Sequence, residues 1–139
     1  MPPRVPSERE RLPTEVRTDR PVEGVTVVSL LGEHDLATKE EISGAIEQAQ
    51  SAGNGVAVDL SATEFIDSST LHALVSGARR SSERGRGFIL VIGANEAIRQ
   101  VFDLTGLLTQ IETADSVPEA VEQLRAHASA PRPQARPSS

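Results

Sequence analysis

The segment Asp59-Leu60-Ser61-Ala62-Thr63-Glu64-Phe65-Ile66-Asp67-Ser68-Ser69-Thr70-Leu71 joins two kinds of periodicity. Leading into it, Val56 to Leu60 is a short, apolar, β-branched run of the sort that forms a buried strand. Running out of it, Leu71, Leu74, Val75 and Ala78 recur at helical spacing, with Arg79, Arg80, Glu83 and Arg84 outside that stripe. The change of period falls at Asp67-Ser68, residue types that favour helix N-caps. The stretch therefore predicts a strand, a connection ending in a strand-like Phe65-Ile66, and a helix opening at Ser68. The Ser68 hydroxyl would then stand at a helix N-terminus, near backbone N–H groups that lack an intrahelical partner.

Working outward, the same alternation repeats. Val25 to Leu31 and Phe88 to Ile92 read as further strands, Glu15 to Arg20 as a polar edge strand, and Ile111 to Thr113 as a short last strand. A first helix is expected from Thr38, capped by its hydroxyl with Glu41 reaching back, with Ile42, Ala45, Ile46 and Ala49 as the apolar face and Gly53 as the stop. A third helix follows Asn95, with Ile98, Val101 and Phe102 on one side and Gly106 at its end. A fourth follows Ser116, with Glu119 completing a capping box ahead of Val121 and Leu124. Four helices alternating with four or five strands form a layered α/β domain with a mixed sheet, because each helix must cover a sheet face.

With 139 residues the chain has room for a single hydrophobic core. Both ends are poor in apolar residues and rich in Pro, Ser and Arg, so residues 1–13 and 128–139 are expected to be disordered flanks around a domain at 14–127. The net charge is −6; the flanks contribute +1 and +2 of it, leaving −9 on the domain. So acidic a body repels phosphate backbones, and aromatic residues make up only 2% of the chain, so direct nucleic-acid binding is not expected. The absence of cysteine and the scatter of His34, His72 and His127 speak against a metal centre, and both His34 and His72 are expected at the solvated surface. The opening residues lack the apolar run of a signal peptide, and a cytoplasmic location is the expectation.

The quoted segment resembles the signature of STAS domains, the fold of bacterial anti-anti-sigma factors, in which the Ser directly after the second Asp is phosphorylated by a partner kinase. Gly32-Glu33-His34-Asp35-Leu36-Ala37-Thr38 resembles the family's turn before the first helix, and Phe102-Asp103-Leu104-Thr105-Gly106-Leu107 resembles a later element. Three such motifs in order are far more specific than one. The resemblance implies that Ser68 is the phosphorylation site and that Asp35, Asp67, Ser69 and Thr70 bind the partner or support the phosphosite. It also implies an anti-sigma factor with serine kinase activity and a Ser/Thr phosphatase as partners, no cofactor, and a monomer or weak dimer. Departures from the pattern stand at Thr70, where Gly is common, at His34, where Leu is common, and at Glu64.

Taken alone, Asp67-Ser68-Ser69 is an ordinary helix cap, Asp35 an ordinary turn former and Thr38 a capping hydroxyl. An enzyme with Ser68 as nucleophile would need a base and an oxyanion hole in a recognisable order, and the chain has no Gly-x-Ser-x-Gly elbow. A phosphoaspartate receiver is a poor match, since the single lysine is Lys39, early in the chain. The chain is therefore expected not to be an enzyme. The competing reading is a STAS scaffold or a ligand- or nucleotide-sensing module in a signalling assembly.

Overall fold

The computed structural model describes residues 13–129. β1 (Glu15–Val22) and β2 (Val25–His34) form an antiparallel hairpin around Glu23-Gly24. This two-residue connection puts Gly24 at φ +83°, a conformation open to glycine at no steric cost. β2 then runs parallel to β3 (Gly55–Asp59), β3 to β5 (Phe88–Val91) and β5 to β6 (Glu112–Ala114), giving the order β1-β2-β3-β5-β6. α1 (Leu36–Ser51), α2 (Ser68–Glu83), α3 (Glu96–Thr105) and α4 (Val117–Ser129) make the connections and cover the sheet, and a short 3-10 helix spans Leu107–Thr109.

Alternation along the strands divides the interior in two. Val28 and Leu30 of β2 and Leu90 of β5 face α1, α2 and α3, where they join Ile42, Ile46, Leu74, Ile98 and Phe102. Val25, Val27, Ile89 and Val91 point the other way and are covered by Ala120 and Leu124 of α4. The central strand β3 is buried on both faces, which is why Val56-Ala57-Val58 reads as an unbroken apolar run.

α1 and α2 lie side by side. Their contact is built on small residues: a Cβ on Gly77 would meet Ile46 Cγ2 at 3.0 Å. The buried Gln50 side chain bridges the pair, donating to the Gly77 carbonyl (2.7 Å) and Ser81 Oγ (2.9 Å) while accepting from Arg80 Nε (3.1 Å). A buried amide with all these groups matched fixes the register of the two helices more sharply than apolar packing does.

This packing corrects the expected stripe of α2. Thr70, Ala73, Leu74, Gly77 and Ser81 are the buried positions, whereas Leu71, Val75 and Ala78 are only partly buried against the core. A hydrophobicity count misses the face because its residues are small or polar so that α1 can approach. The first helix also starts two residues before the expected Thr38. The Asp35 carboxylate accepts from Ala37 N–H at 2.9 Å and is the cap, and Glu41 is exposed. The strand-like Phe65-Ile66 belongs to a full strand: β4 (Thr63–Ile66) pairs in parallel with the far end of β2, off the main order of the sheet.

The other helix signals hold. Asn95 accepts from Ile98 N–H and caps α3, which ends at Gly106 with φ +72°. Ser116 Oγ accepts from Glu119 N–H, and the Glu119 carboxylate accepts from Asp115 N–H. α4 continues through Ser129, two residues into the expected tail; the rest of both flanks lies outside the described residues, Pro13 aside.

Candidate functional site

The strand β4 is what assembles the site. Parallel pairing sets Glu33 against Phe65 and His34 against Ile66, and the Asp67 N–H donates to the His34 carbonyl at 3.2 Å. Thr63 secures the other end of β4, its hydroxyl donating to the Leu30 carbonyl at 2.6 Å. Asn95 adds a further tie, donating to the carbonyls of both Leu60 and Thr63. Two strand ends thus release their chains side by side, one into α1 through Asp35 and the other into α2 through Asp67. Each helix is capped by that aspartate.

Of the residues singled out in the sequence, Asp35, Asp67, Ser68, Ser69 and Thr70 all come together here. Ser68 is the first residue of α2 and is exposed. The Asp67 carboxylate accepts from Ser69 Oγ at 2.6 Å and from Thr70 N–H at 3.0 Å. Those two hydrogen bonds, the Ser69 one foremost, hold the Asp67 carboxyl below the usual carboxylate range. Ser69 therefore works locally as a donor to the cap, not as a free surface hydroxyl. Thr70 is fully buried, so where a glycine is common this chain carries a methyl and a hydroxyl in the first turn of α2, the hydroxyl near enough to the Asp67 carboxylate to help hold its pKa down.

His34 was expected at the surface and is instead fully buried. Both ring nitrogens are matched. Nε2 donates to the Leu31 carbonyl at 2.8 Å, and Nδ1 shares a hydrogen bond of 3.0 Å with the Thr38 hydroxyl. Burial is tolerable because these partners are local, within four residues. Thr38, expected as a cap, instead has its Oγ1 donate to the Asp35 carbonyl at 3.3 Å, and so ties that carbonyl to the His34 ring. The ring pins the turn that presents Asp35. His72 is exposed, as expected.

The surface around Ser68 is acidic. Glu33, Asp35 and Glu64 are exposed and Asp67 is partly so. The salt bridges among the described residues, Arg17–Glu15 and Arg80–Glu47, lie elsewhere. A surface hydroxyl at a capped helix start, set among carboxylates without an ion-pair partner among the described residues, can accept a phosphoryl group or take part in a protein contact. Among the described residues no cluster of His, Asp and Glu is arranged to hold a metal ion.

A family model described as the STAS domain matches residues 17–120. The chain belongs to the STAS-domain family. An anti-sigma factor antagonist from Mycobacterium paratuberculosis is 29% identical, with a TM-score of 0.65 over 82% of this chain and 94% of that one. The Bacillus cell fate determinant SpoIIAA in its phosphorylated form is 24% identical, with a TM-score of 0.64 over 80% of this chain and all of that one (100%). A sulfate transporter family protein from Wolinella succinogenes is only 14% identical yet reaches a TM-score of 0.65 over 78% of this chain and 91% of that one. Proteins of different roles thus share this STAS fold, and function has to be argued from the site. No match is found among curated proteins.

The cap chemistry of this STAS domain gives a pH dependence whose sign is fixed. Because the folded-state pKa of Asp67 is depressed, its stabilisation is fully present above the unfolded-state pKa and is lost as pH falls through the folded value. Asn caps a helix about as well as Asp but does not titrate. Asp67→Asn should therefore leave the urea midpoint near neutral pH almost unchanged and reduce its fall on going to about pH 3. An acid limb identical to that of the wild type would remove Asp67 from the acid response.

Proposed function

We propose that this STAS protein is an anti-sigma factor antagonist that binds a serine-kinase anti-sigma factor when unphosphorylated, so freeing a sigma factor, and that phosphorylation of Ser68 switches it off. The observation carrying this reading is the placement of Ser68: exposed, first in α2, directly after the Asp67 cap and beside the turn that presents Asp35.

Phosphorylation adds about −1.5 to −2 charges. At the start of a helix the free N–H groups and the dipole favour that charge, so the fold itself can carry it. The partner contact cannot. During transfer the Ser68 hydroxyl must face the γ-phosphate of ATP in the kinase, and afterwards the phosphoserine faces the remaining ADP phosphates, like charge against like. The expected outcome is release without refolding, and a Ser/Thr phosphatase would reset the switch. The chemistry belongs to the kinase and phosphatase; this chain supplies the acceptor and the docking surface.

The experiment is incubation with ATP and purified serine-kinase anti-sigma factors of the source genome, followed by peptide mass mapping. One phosphoryl group on the peptide containing Ser68, absent in Ser68→Ala, is expected. Modification only at Ser69 or Thr38, or none with any kinase, would refute the assignment and leave the scaffold or sensor reading.

A further inference from the structure

Among the described residues three large apolar side chains are exposed: Leu36 (69%), Phe65 (52%) and Leu104 (82%). Leu104 lies near the end of α3, but the other two flank Ser68 along the chain and across the β2–β4 pairing. Phe65 stands three residues before Ser68, in register with Glu33. Leu36 follows Asp35, two residues after the His34 carbonyl that receives the Asp67 N–H. Since a chain advances at most about 3.6 Å per residue, Phe65 lies within about 11 Å of Ser68, and Leu36 within about 7 Å of His34.

Leu36 goes against the local preference of its position, and Phe65, a residue type at home in a strand, is turned to solvent without a gain in the fold. The first turn of a helix favours an acidic residue, yet α1 has none there and opens on an exposed leucine. A residue placed so without a gain in the fold marks a functional position. We infer that Leu36 and Phe65 are the two apolar anchors of the Ser68 surface, and that the partner offers apolar sockets rimmed by Arg and Lys.

The rim follows from Glu33, Asp35 and Asp67, which have no ion-pair partner among the described residues. Buried anchors supply most of the affinity of an interface, and rim charges supply steering and partner choice. A second copy of this chain is a poor occupant, because a two-fold interface would set the same carboxylates against each other. The inference rests on the antagonist reading and deepens it by naming how the partner is held.

The test titrates wild type, Leu36→Ala, Phe65→Ala and the control Leu104→Ala against the purified serine-kinase anti-sigma factors, with unfolding midpoints measured alongside. The expected result is a loss of about ten-fold or more in affinity for each anchor variant, at unchanged midpoint, with Leu104→Ala close to wild type. In phosphorylation assays the same two variants should raise KM for this protein and leave kcat alone. Binding by wild type with both anchor variants unaffected overturns the inference and spares the antagonist reading. Binding by wild type to none of the kinases overturns that reading and the inference with it. A wild-type dimer that both anchor variants dissociate would make the occupant a second copy, and would overturn the inference too.

Discussion

Phe102→Ala is expected to destabilise the domain by about 3–5 kcal/mol, as large-to-small changes at fully buried aromatic positions do. Phe102 is completely buried and is the largest such side chain among the described residues. With Ile98 it forms the inner face of α3, joined to the cluster that includes Leu90, Ile92 and Ile111. Truncation removes apolar burial and leaves a cavity that the ends of α3 cannot easily close. Thr105 Oγ1 donates back to the Val101 and Phe102 carbonyls, and Gly106 holds a left-handed C-cap that turns the chain into the 3-10 helix. Domains of this size are stable by only about 5–15 kcal/mol, so the variant should unfold at a much lower urea concentration. A loss below about 1 kcal/mol would show that the site collapses freely and that α3 is not held by this residue. The result also separates roles within the motifs: Phe102-Asp103-Leu104-Thr105-Gly106-Leu107 builds the fold, so a binding defect in Phe102→Ala should track its loss of structure.

Much of this was legible in the sequence, for identifiable reasons. The strands with β-branched or continuous apolar runs, β2, β3 and β5, announce themselves because burial on one or both faces selects those residues. Asp67, Asn95, Ser116 and Gly106 mark helix ends because the chemistry of caps is local. β4 is legible only as a strand-like Phe65-Ile66, because Thr63 and Ile66 alone of its four residues are buried and an exposed Glu64-Phe65 between them breaks the alternation. The start of α1 was misplaced because Asp35 and Thr38 are both good caps, and only the tertiary position of the β2 end decides between them. His34 could not be recognised as buried, since its partners, the Leu31 carbonyl and Thr38, become partners only once the turn closes. Gln50 is a similar case: an ordinary helix residue in sequence, it bridges α1 and α2 because Gly77 and Ser81 leave room for it. The site residues are legible as a motif, yet the pairing of β2 with β4 that brings Asp35 beside Asp67 is not, because a strand-like dipeptide does not say which strand it joins.

Phosphorylation of Ser68 is expected to weaken binding to the kinase partner by about 100-fold or more, as placing like charges opposite one another at an interface costs several kcal/mol. Ser68→Asp should lose less than the phosphorylated protein, since it adds one charge where phosphoserine adds about 1.5 to 2, and Ser68→Ala should bind like wild type. The free domain should hardly notice any of these changes. A negative group at the first position of α2 meets the favourable end of the helix dipole, which offsets repulsion from Asp67 and Asp35, so unfolding midpoints should stay close together. Ionic strength then distinguishes the cause. At physiological salt the screening length is about 8 Å, and at 1 M about 3 Å, so a charge-driven loss should shrink markedly when titrations are repeated at high salt. A loss that persists undiminished would point to bulk at Ser68 as the obstacle. Binding by Ser68→Asp equal to wild type at low salt, with the phosphorylated form also unimpaired, would mean that modification does not drive release, and the switch would have to lie elsewhere in the cycle.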